Sequence, residues 1–451
     1  MKDEAPVGVL ETLKATPLTV RYLLGGVLIN QLGAFVQTFL VLYLTHRGVS
    51  FNVAALCLGA YSVGTIFGTM LGGECTQRFG PRATIVTAMA GSAPLVASIP
   101  WLSGAGPLWP LILVVALAGL LAQAYRPAAA VLLSDLMPQR HQVMAFSMMR
   151  IALNSGAALA PVIAAGLILV DWNLLYWVDA VTTLLYAGLA LVLLPGRTAP
   201  AAASGEAEAE AEAGSGAGAQ PVLTGRAAYA AMLRDRQYLF YLAAVLLGTI
   251  AYVQSSIALP LEILSDKYPT GLYSAVLVIS SVVLITCELK ITTYILRLPT
   301  HTAVIVGHLV NSLGLAAYAL AAHSGAFILI GAVLAVSGLM IAGPSMFAHP
   351  ATFPGAVKAR YLGTMQAVAG LGLALGPLFG VAVWSRLGGG FWVLCAVLNG
   401  VAGLLAMAGL NRKAEADPQA VGSDPGTDPD TAHGDPDAAA EQGREVLGGT
   451  A

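Results

Sequence analysis

The sequence predicts an all-α membrane protein, with twelve transmembrane helices in two pseudo-symmetric six-helix bundles. Three observations carry that prediction: an apolar composition, a count of apolar stretches and a motif that occurs twice. Of the 451 residues, 57% are hydrophobic and 10% charged, and mean hydropathy is +0.76. A soluble domain carries roughly 25% charged residues. Twelve stretches reach the roughly 20 apolar residues that a helix needs to cross the hydrocarbon core. The segment GAALAPVIAAG, Gly156 to Gly166, is echoed by GLALGPLFGVA, Gly372 to Ala382.

In chain order the first six spans fall near 20–44, 51–73, 83–101, 107–126, 143–169 and 172–194. The second six fall near 238–263, 271–296, 302–322, 325–347, 360–384 and 390–410. The first is too long for a cleaved signal peptide and precedes eleven more spans. Continuous apolar runs of this length exclude an outer-membrane barrel, whose strands are short and alternating. Two segments break the apolar pattern. Residues 198–220, TAPAAASGEAEAEAEAGSGAGAQ, and residues 414–451, rich in Asp, Pro, Gly and Ala, have little to bury and read as disordered. The expected organisation is an N-terminal bundle over 1–197, a partly disordered cytoplasmic linker over 198–236, a C-terminal bundle over 237–411 and a disordered cytoplasmic tail over 412–451.

Orientation follows from the positive charges. With both termini in the cytoplasm, all 22 Lys and Arg except Arg47, Lys267 and Arg386 fall on the inside. The expected location is therefore a cytoplasmic membrane, multi-pass, with both termini inside. A net charge of −2 argues against a nucleic-acid partner. Cys57, Cys75, Cys287 and Cys395 match no metal or redox spacing and read as small core residues. No metal or cofactor is expected, and the chain has no GxxxxGK[ST] for nucleotide.

The repeat has a fixed offset. Gly372 follows Gly156 by 216 residues, as Pro377 follows Pro161 and Pro354 follows Pro138. Span five thus corresponds to span eleven, and the chain contains two homologous halves. Parallel repeats of this kind are a transporter architecture, with the substrate site between the halves near mid-membrane. Gly and Ala on one helix face let backbones approach. An intramembrane proline frees a carbonyl that neighbours must re-satisfy. Gly156, Pro161, Gly372, Gly376 and Pro377 are therefore read as a conformational motif. Packing alone and a part in the rocking of the halves both fit.

The loop after span two reads GGECTQRFGPR, Gly72 to Arg82. It resembles GGxLADRxGRR, the cytoplasmic signature of the major facilitator superfamily, at Gly72, Gly73, Arg78, Gly80 and Arg82. Gln77 stands where that family usually has Asp, which weakens the expected charge contact to the neighbouring helix end. The GxxxxP pattern of span five resembles the proline motif of exporters in the family; Ala160 replaces its usual Gly, and Gly376 keeps it in span eleven. The resemblance covers nearly all of residues 15–411. FVQTFLVLYLTHRGVS, Phe35 to Ser50, and RPAAAVLLSDLMPQR, Arg126 to Arg140, extend it to bacterial twelve-span drug:proton antiporters. It implies a chain that works as a monomer, with a cavity walled mainly by spans one, four, seven and ten. Asp135 is expected to pair with Arg78 or Arg82 and hold the inner face closed.

Charge in mid-membrane is costly and faces a cavity or a partner. Glu288, in span eight, is the first candidate for proton coupling; a structural pair with a basic residue is the competing reading. Lys290 points off that face and snorkels. Asp179, in span six, is the second candidate, with a structural hydrogen-bonding role favoured. His308 reads as a core histidine. The expected substrate-cavity residues are Asn30, Gln37, Arg126, Tyr252, Gln254, Met340 and Gln366. Such a wall suits amphiphilic or weakly basic molecules. The expectation is a secondary active transporter, with small-molecule substrate, protons and the lipid bilayer as partners. Proton-driven efflux of amphiphilic compounds or antibiotics leads; a proton-coupled uptake symporter for a small metabolite is the alternative. No paired carboxylates, Cys–His pair or metal cluster at suitable spacing supports an enzyme.

Overall fold

The computed structural model describes residues 9–104, 107–196, 226–269 and 271–410. The expected disorder of 198–220 and 414–451 lies outside the described residues. A short helix α1 (Val9–Ala15) precedes α2 (Leu18–Leu32) and α3 (Val36–His46), which together make one span. Then come α4 (Phe51–Phe79), α5 (Pro81–Leu102), α6 (Trp109–Leu136), α7 (Gln142–Val170) and α8 (Leu174–Leu193). A short α9 (Arg226–Arg234) leads into α10 (Arg236–Ser265), α11 (Gly271–Ile295), α12 (Thr300–Tyr318), α13 (Gly325–Ala348), α14 (Gly355–Leu387) and α15 (Gly390–Leu410). Eleven of the twelve expected spans are long and apolar enough to cross a membrane. The remaining one, α12, has 19 residues, and its hydropathy is lowered by His301, His308 and Asn311.

Each half repeats one packing scheme. In the first, α7 lies on α2, and a Cβ on Gly156 would stand 2.6 Å from Gln31 Cβ. In the second, α14 lies on α10, and Cβ atoms on Gly372 and Gly376 would stand 2.8 Å from Thr249 Cβ and 2.1 Å from Val253 Cγ1. The repeated glycines thus do the same work in both bundles: they let span five touch span one and span eleven touch span seven. Both helices continue through their prolines, Pro161 and Pro377. A second glycine ridge, Gly64, Gly68 and Gly72 on α4, seats that helix on the backbone of α6, where any Cβ would fall within 2.1 Å of a carbonyl oxygen. This is the small-residue route to helix association in lipid, where apolar side chains gain nothing by leaving one another.

The α4–α5 corner depends on Gly80. Its φ of +87° is open to glycine and strained for other residues, its N–H closes on Thr76 O, and Pro81 starts the next helix.

Span one is not one helix. The chain breaks at Gly33–Phe35, and α3 starts afresh in mid-span. The new N-terminus leaves backbone N–H groups without helical partners. Asp179 of α8 takes two of them: Phe35 N donates to Oδ2 at 3.1 Å and Val36 N at 3.4 Å. Thr183 Oγ1, at 3.4 Å from Asp179 Oδ1, also reaches Asn30 Oδ1 at 3.3 Å. A buried carboxylate thereby holds the two half-helices of span one to span six.

One set of hydrogen bonds and ion pairs that joins the two halves lies at the end of the bundle where α2 starts and α15 finishes, here the near end. Gln77 Nε2 donates to Gly355 O at 3.2 Å. Arg360 donates Nε and Nη2 to the two oxygens of Glu74 at 2.7 and 3.3 Å. Lys358 Nζ meets Asp135 Oδ1 at 2.8 Å. The α4–α14 crossing brings backbone to backbone, since a Cβ on Gly73 would stand 2.7 Å from Ala359 O and 3.2 Å from Gly363 Cα.

These contacts correct one expectation. Asp135 pairs with Lys358 of the other half, not with Arg78 or Arg82. Arg78 is held by Glu74 one turn back on its own helix, at 2.6 Å, the favoured i,i+4 arrangement. The guanidinium of Arg82 donates to Leu191 O at the end of α8. Glu74 also explains how the loop tolerates Gln77: the carboxylate that the signature places at that position is supplied three residues earlier, and it receives Arg360 in a two-pronged, charge-assisted contact.

Candidate functional site

Between the two halves lies a cavity of about 540 Å³. Its first wall comes from α2, α3, α4, α6 and α7 through Gln31, Gln37, Thr65, Gln123, Arg126 and Asn154. Its second comes from α10 and α12–α14, through Tyr252, Leu339, Met346, Met365, Gln366 and Leu373 among others. The two walls differ in kind. Among the described residues, the Lys or Arg side chains that line the cavity are Arg126 and Arg150, both on the first wall, and no Asp or Glu lines it. The second wall is mostly apolar, and its polar atoms are neutral.

Of the expected lining residues, Gln37, Arg126, Tyr252 and Gln366 are on the wall. Asn30, Gln254 and Met340 are not, which corrects those three placements. Successive helix residues point about 100° apart, so a neighbour takes the place of Asn30 and of Met340. Gln31 faces the cavity while Asn30 faces Thr183 of α8. Leu339 faces it while Met340 packs between Leu284 and Val336. Gln254 is fully buried against α14, where Nε2 donates to Gly376 O at 3.0 Å. His308 and Asn311 border the cavity, and His308 Nδ1 lies 3.2 Å from Asn399 Oδ1. That partnership is what a core histidine shows.

The cavity floor holds the pair of most chemical interest. Arg150 sits eight residues into α7, about 12 Å from its start. Its Nη1 donates to Leu339 O at 3.1 Å. Its Nε lies 3.4 Å from Glu288 Oε1 on α11. The side chains are 7% and 0% exposed. Arg150 fits only because position 343 is glycine: a Cβ there would stand 1.7 Å from Nη1. One turn nearer the end, Ser147 Oγ and Thr292 Oγ1 are 2.8 Å apart, and Thr292 also donates to Glu288 O. Neither carboxylate oxygen of Glu288 makes a hydrogen bond. Its neighbour Lys290 is exposed on the opposite face.

Beyond this floor the near end is filled by stacked rings. Phe353 and Tyr361 have centroids 4.0 Å apart, and Tyr238 and Tyr361 4.4 Å. Tyr238 and Tyr241 anchor their hydroxyls on the carbonyls of Tyr361 and Met346 at 2.6 and 2.7 Å. The cavity is therefore closed toward the near end by aromatic packing, by the α4–α14 crossing and by ion pairs.

Two residues of this arrangement escaped sequence reading. Glu74 is one. Its i,i+4 spacing to Arg78 was a visible signal, but its bond to Arg360 spans 286 positions and was not. Arg150 as the partner of Glu288 is the other, since helix contacts between halves leave no mark at a fixed spacing.

Comparison with known proteins agrees with this architecture. Residues 23–353 match the family model described as Major Facilitator Superfamily. An uncharacterized MFS-type transporter, YqjV, of Bacillus subtilis (strain 168) is 23% identical over 373 residues, covering 80% of this chain and 85% of that protein. A Na(+), Li(+), K(+)/H(+) antiporter of Planococcus maritimus is 24% identical over 404 residues, covering 84% and 93%. Among solved structures, the transporter FucP in the outward conformation superposes with a TM-score of 0.66 at 15% identity, covering 87% of this chain and 98% of that one. The chain belongs to the Major Facilitator Superfamily and is a secondary transporter, not an enzyme.

Proposed function

We propose that this protein exports small amphiphilic compounds from the cytoplasm in exchange for protons, by alternating access of the central cavity. The near end is read as the cytoplasmic one, because Lys and Arg are concentrated there. The conformation described is then closed to the cytoplasm and suited to release outward.

The observation that carries the coupling is the Arg150–Glu288 pair. It joins the two halves at the cavity floor, it is buried, and its carboxylate is held by charge alone. A proton on Glu288 removes the charge that holds Arg150 across the interface. The halves then lose a bond that only the deprotonated form can make, and the near end is released. A buried ion pair is a weak source of stability but a sensitive switch, because breaking it exposes an unmatched charge. The Planococcus maritimus relative is named as a cation/proton antiporter, which supports antiport here.

The test is transport by the full chain in proteoliposomes under an imposed proton gradient. Wild type should move an amphiphilic substrate against its gradient, and collapse of the proton gradient should stop it. Glu288→Gln should retain equilibrating exchange and lose uphill transport. Uphill transport by the Gln variant would remove Glu288 from the coupling step. Accumulation in the direction of the protons would make the protein a symporter.

A further inference from the structure

We propose that the transported molecule carries an anionic group, which docks on Arg126, and an apolar body, which lies against the opposite wall. This rests on the reading of the central cavity as the transport site and names the substrate class for it.

Arg126 lies on α6 ten residues, about 15 Å, from the end of that helix, well inside the bundle. Its Nε is buried without a hydrogen-bond partner. Among the described residues it forms no ion pair. Every other arginine deep in this interface is neutralised: Arg150 by Glu288 and Arg360 by Glu74. No Asp or Glu lines the cavity that could do the same for Arg126. An uncompensated cation at this depth is costly, and such residues pair or mark a substrate path. The missing partner is a negative charge, and the open volume of the cavity is where it would come from.

The remaining walls describe the rest of the molecule. The same wall of the cavity offers the amides of Gln37, Gln123 and Asn154, which can donate to an oxyanion. Facing them, Tyr252, Leu339, Met346 and Met365 offer an adaptable apolar surface. A weakly basic amphiphile, one expectation from sequence, would bring a second cation to a wall where Arg126 already stands without a counter-ion. A carboxylate, sulfonate or phosphate joined to a ring or alkyl body matches both walls.

Binding by the purified full chain in lipid nanodiscs tests this without any proton gradient. Carboxyfluorescein and a cationic rhodamine ester share a three-ring body and differ in charge, and naphthalene sulfonate and tetraphenylphosphonium extend the panel. Anionic probes should bind at least tenfold more tightly than their cationic counterparts. Arg126→Gln should weaken the anions tenfold or more and leave the cations unchanged or tighter, whereas Arg126→Lys should stay within a few-fold of wild type. Equal or tighter binding of the cations, no binding of any anion, or full anion binding by Arg126→Gln would overturn the proposal. The comparison of probes on wild type stands even if a variant fails to fold. Anion binding without gradient-driven movement in proteoliposomes would sink the exporter reading and leave this one intact. Gradient-driven movement of the cations alone would do the reverse.

Discussion

Among the described residues three carboxylates are buried in the membrane-spanning helices, Asp179, Glu262 and Glu288. Glu262 takes the indole N–H of Trp384, and the other two are used in opposite ways. Asp179 is saturated: it takes two backbone N–H groups at the break in span one, and Thr183 attends its other oxygen. Glu288 is bare. It has no hydrogen bond to either oxygen and a single cation 3.4 Å away, across the interface between the halves. Burial alone would rank the two together. Their partners separate them. A carboxylate that completes a helix N-terminus is part of the scaffold, because every state of the transporter that keeps span one broken needs it. A carboxylate held only by a charge on the opposing half has a bond that exists in one arrangement of the halves and not in the other.

The largest effects should come from breaking that difference at Glu288. Removing one member of a buried pair costs about 3–5 kcal/mol, while removing both is often near neutral. Arg150→Gln should therefore lower the melting temperature markedly, and Glu288→Gln with Arg150→Gln should recover most of the loss. Uphill transport should fall at least about 100-fold in Glu288→Gln, in Arg150→Gln and in the double variant, while Glu288→Gln keeps equilibrating exchange. Thermal unfolding in one detergent, set beside proteoliposome transport, reads both. Additive losses of stability would mean that the two side chains do not act as a pair.

Asp179 should behave as scaffold. Asp179→Asn keeps an accepting oxygen at the break in span one, so its stability should stay close to wild type and gradient-driven transport should persist. Asp179→Ala leaves the N–H groups of Phe35 and Val36 buried without partners, at a cost of about 1–3 kcal/mol. Loss of coupling in a well-folded Asp179→Asn protein would move the proton to this site and erase the contrast with Glu288.

The contrast also marks how far the sequence could be read. Spans, their number and the two-fold repeat were legible, because apolar length and a 216-residue offset are properties of the chain itself. Glu288 and Asp179 stood out for the same reason, as charges in apolar runs. A structural role was favoured for Asp179 and coupling for Glu288, but the contacts that separate them were not legible. The cap at Phe35 and Val36 comes from a residue 144 positions away, and the break at Gly33 leaves the apolar run intact. The near-end network was half legible. Gly72, Gly73, Arg78, Gly80 and Arg82 were visible as a signature, but the partners Arg360 and Lys358 come from the other half, and Glu74 takes the role expected at position 77. Cavity placements failed at Asn30 and Met340 by one residue and at Gln254 because it faces α14, since apolar helix sequence gives no sign of which face is wet.

Smaller effects lie where the halves meet by shape instead of charge. A Cβ at position 73 would be 2.7 Å from Ala359 O, and backbone cannot retreat as a flexible side chain can. Gly73→Ala should therefore part α4 from α14 and favour the state open at the near end, with overall stability little changed. Cys75, two residues on and partly exposed, reports this directly. Its labelling by a bulky maleimide, resolved from Cys287 by mass spectrometry, should rise several-fold. Unchanged labelling would show that the crossing does not govern closure.

The smallest effect should come from the exposed pair. Lys358 and Asp135 lie 2.8 Å apart, but Asp135 is 47% exposed, so solvent screens the bond. Such pairs contribute about 0–1 kcal/mol. Asp135→Asn should slow transport no more than a few-fold, and more so at low ionic strength than at high. Exchanging the charges, Asp135→Lys with Lys358→Asp, should restore the rate. Adding Arg78→Gln to Asp135→Asn should give simple additivity, since Arg78 answers to Glu74. Coupling of Asp135 to Arg78 instead of to Lys358 would mean that the near end closes by a different set of contacts during transport. The distinction between Glu288 as a switch and the near-end pairs as fasteners would then have to be redrawn.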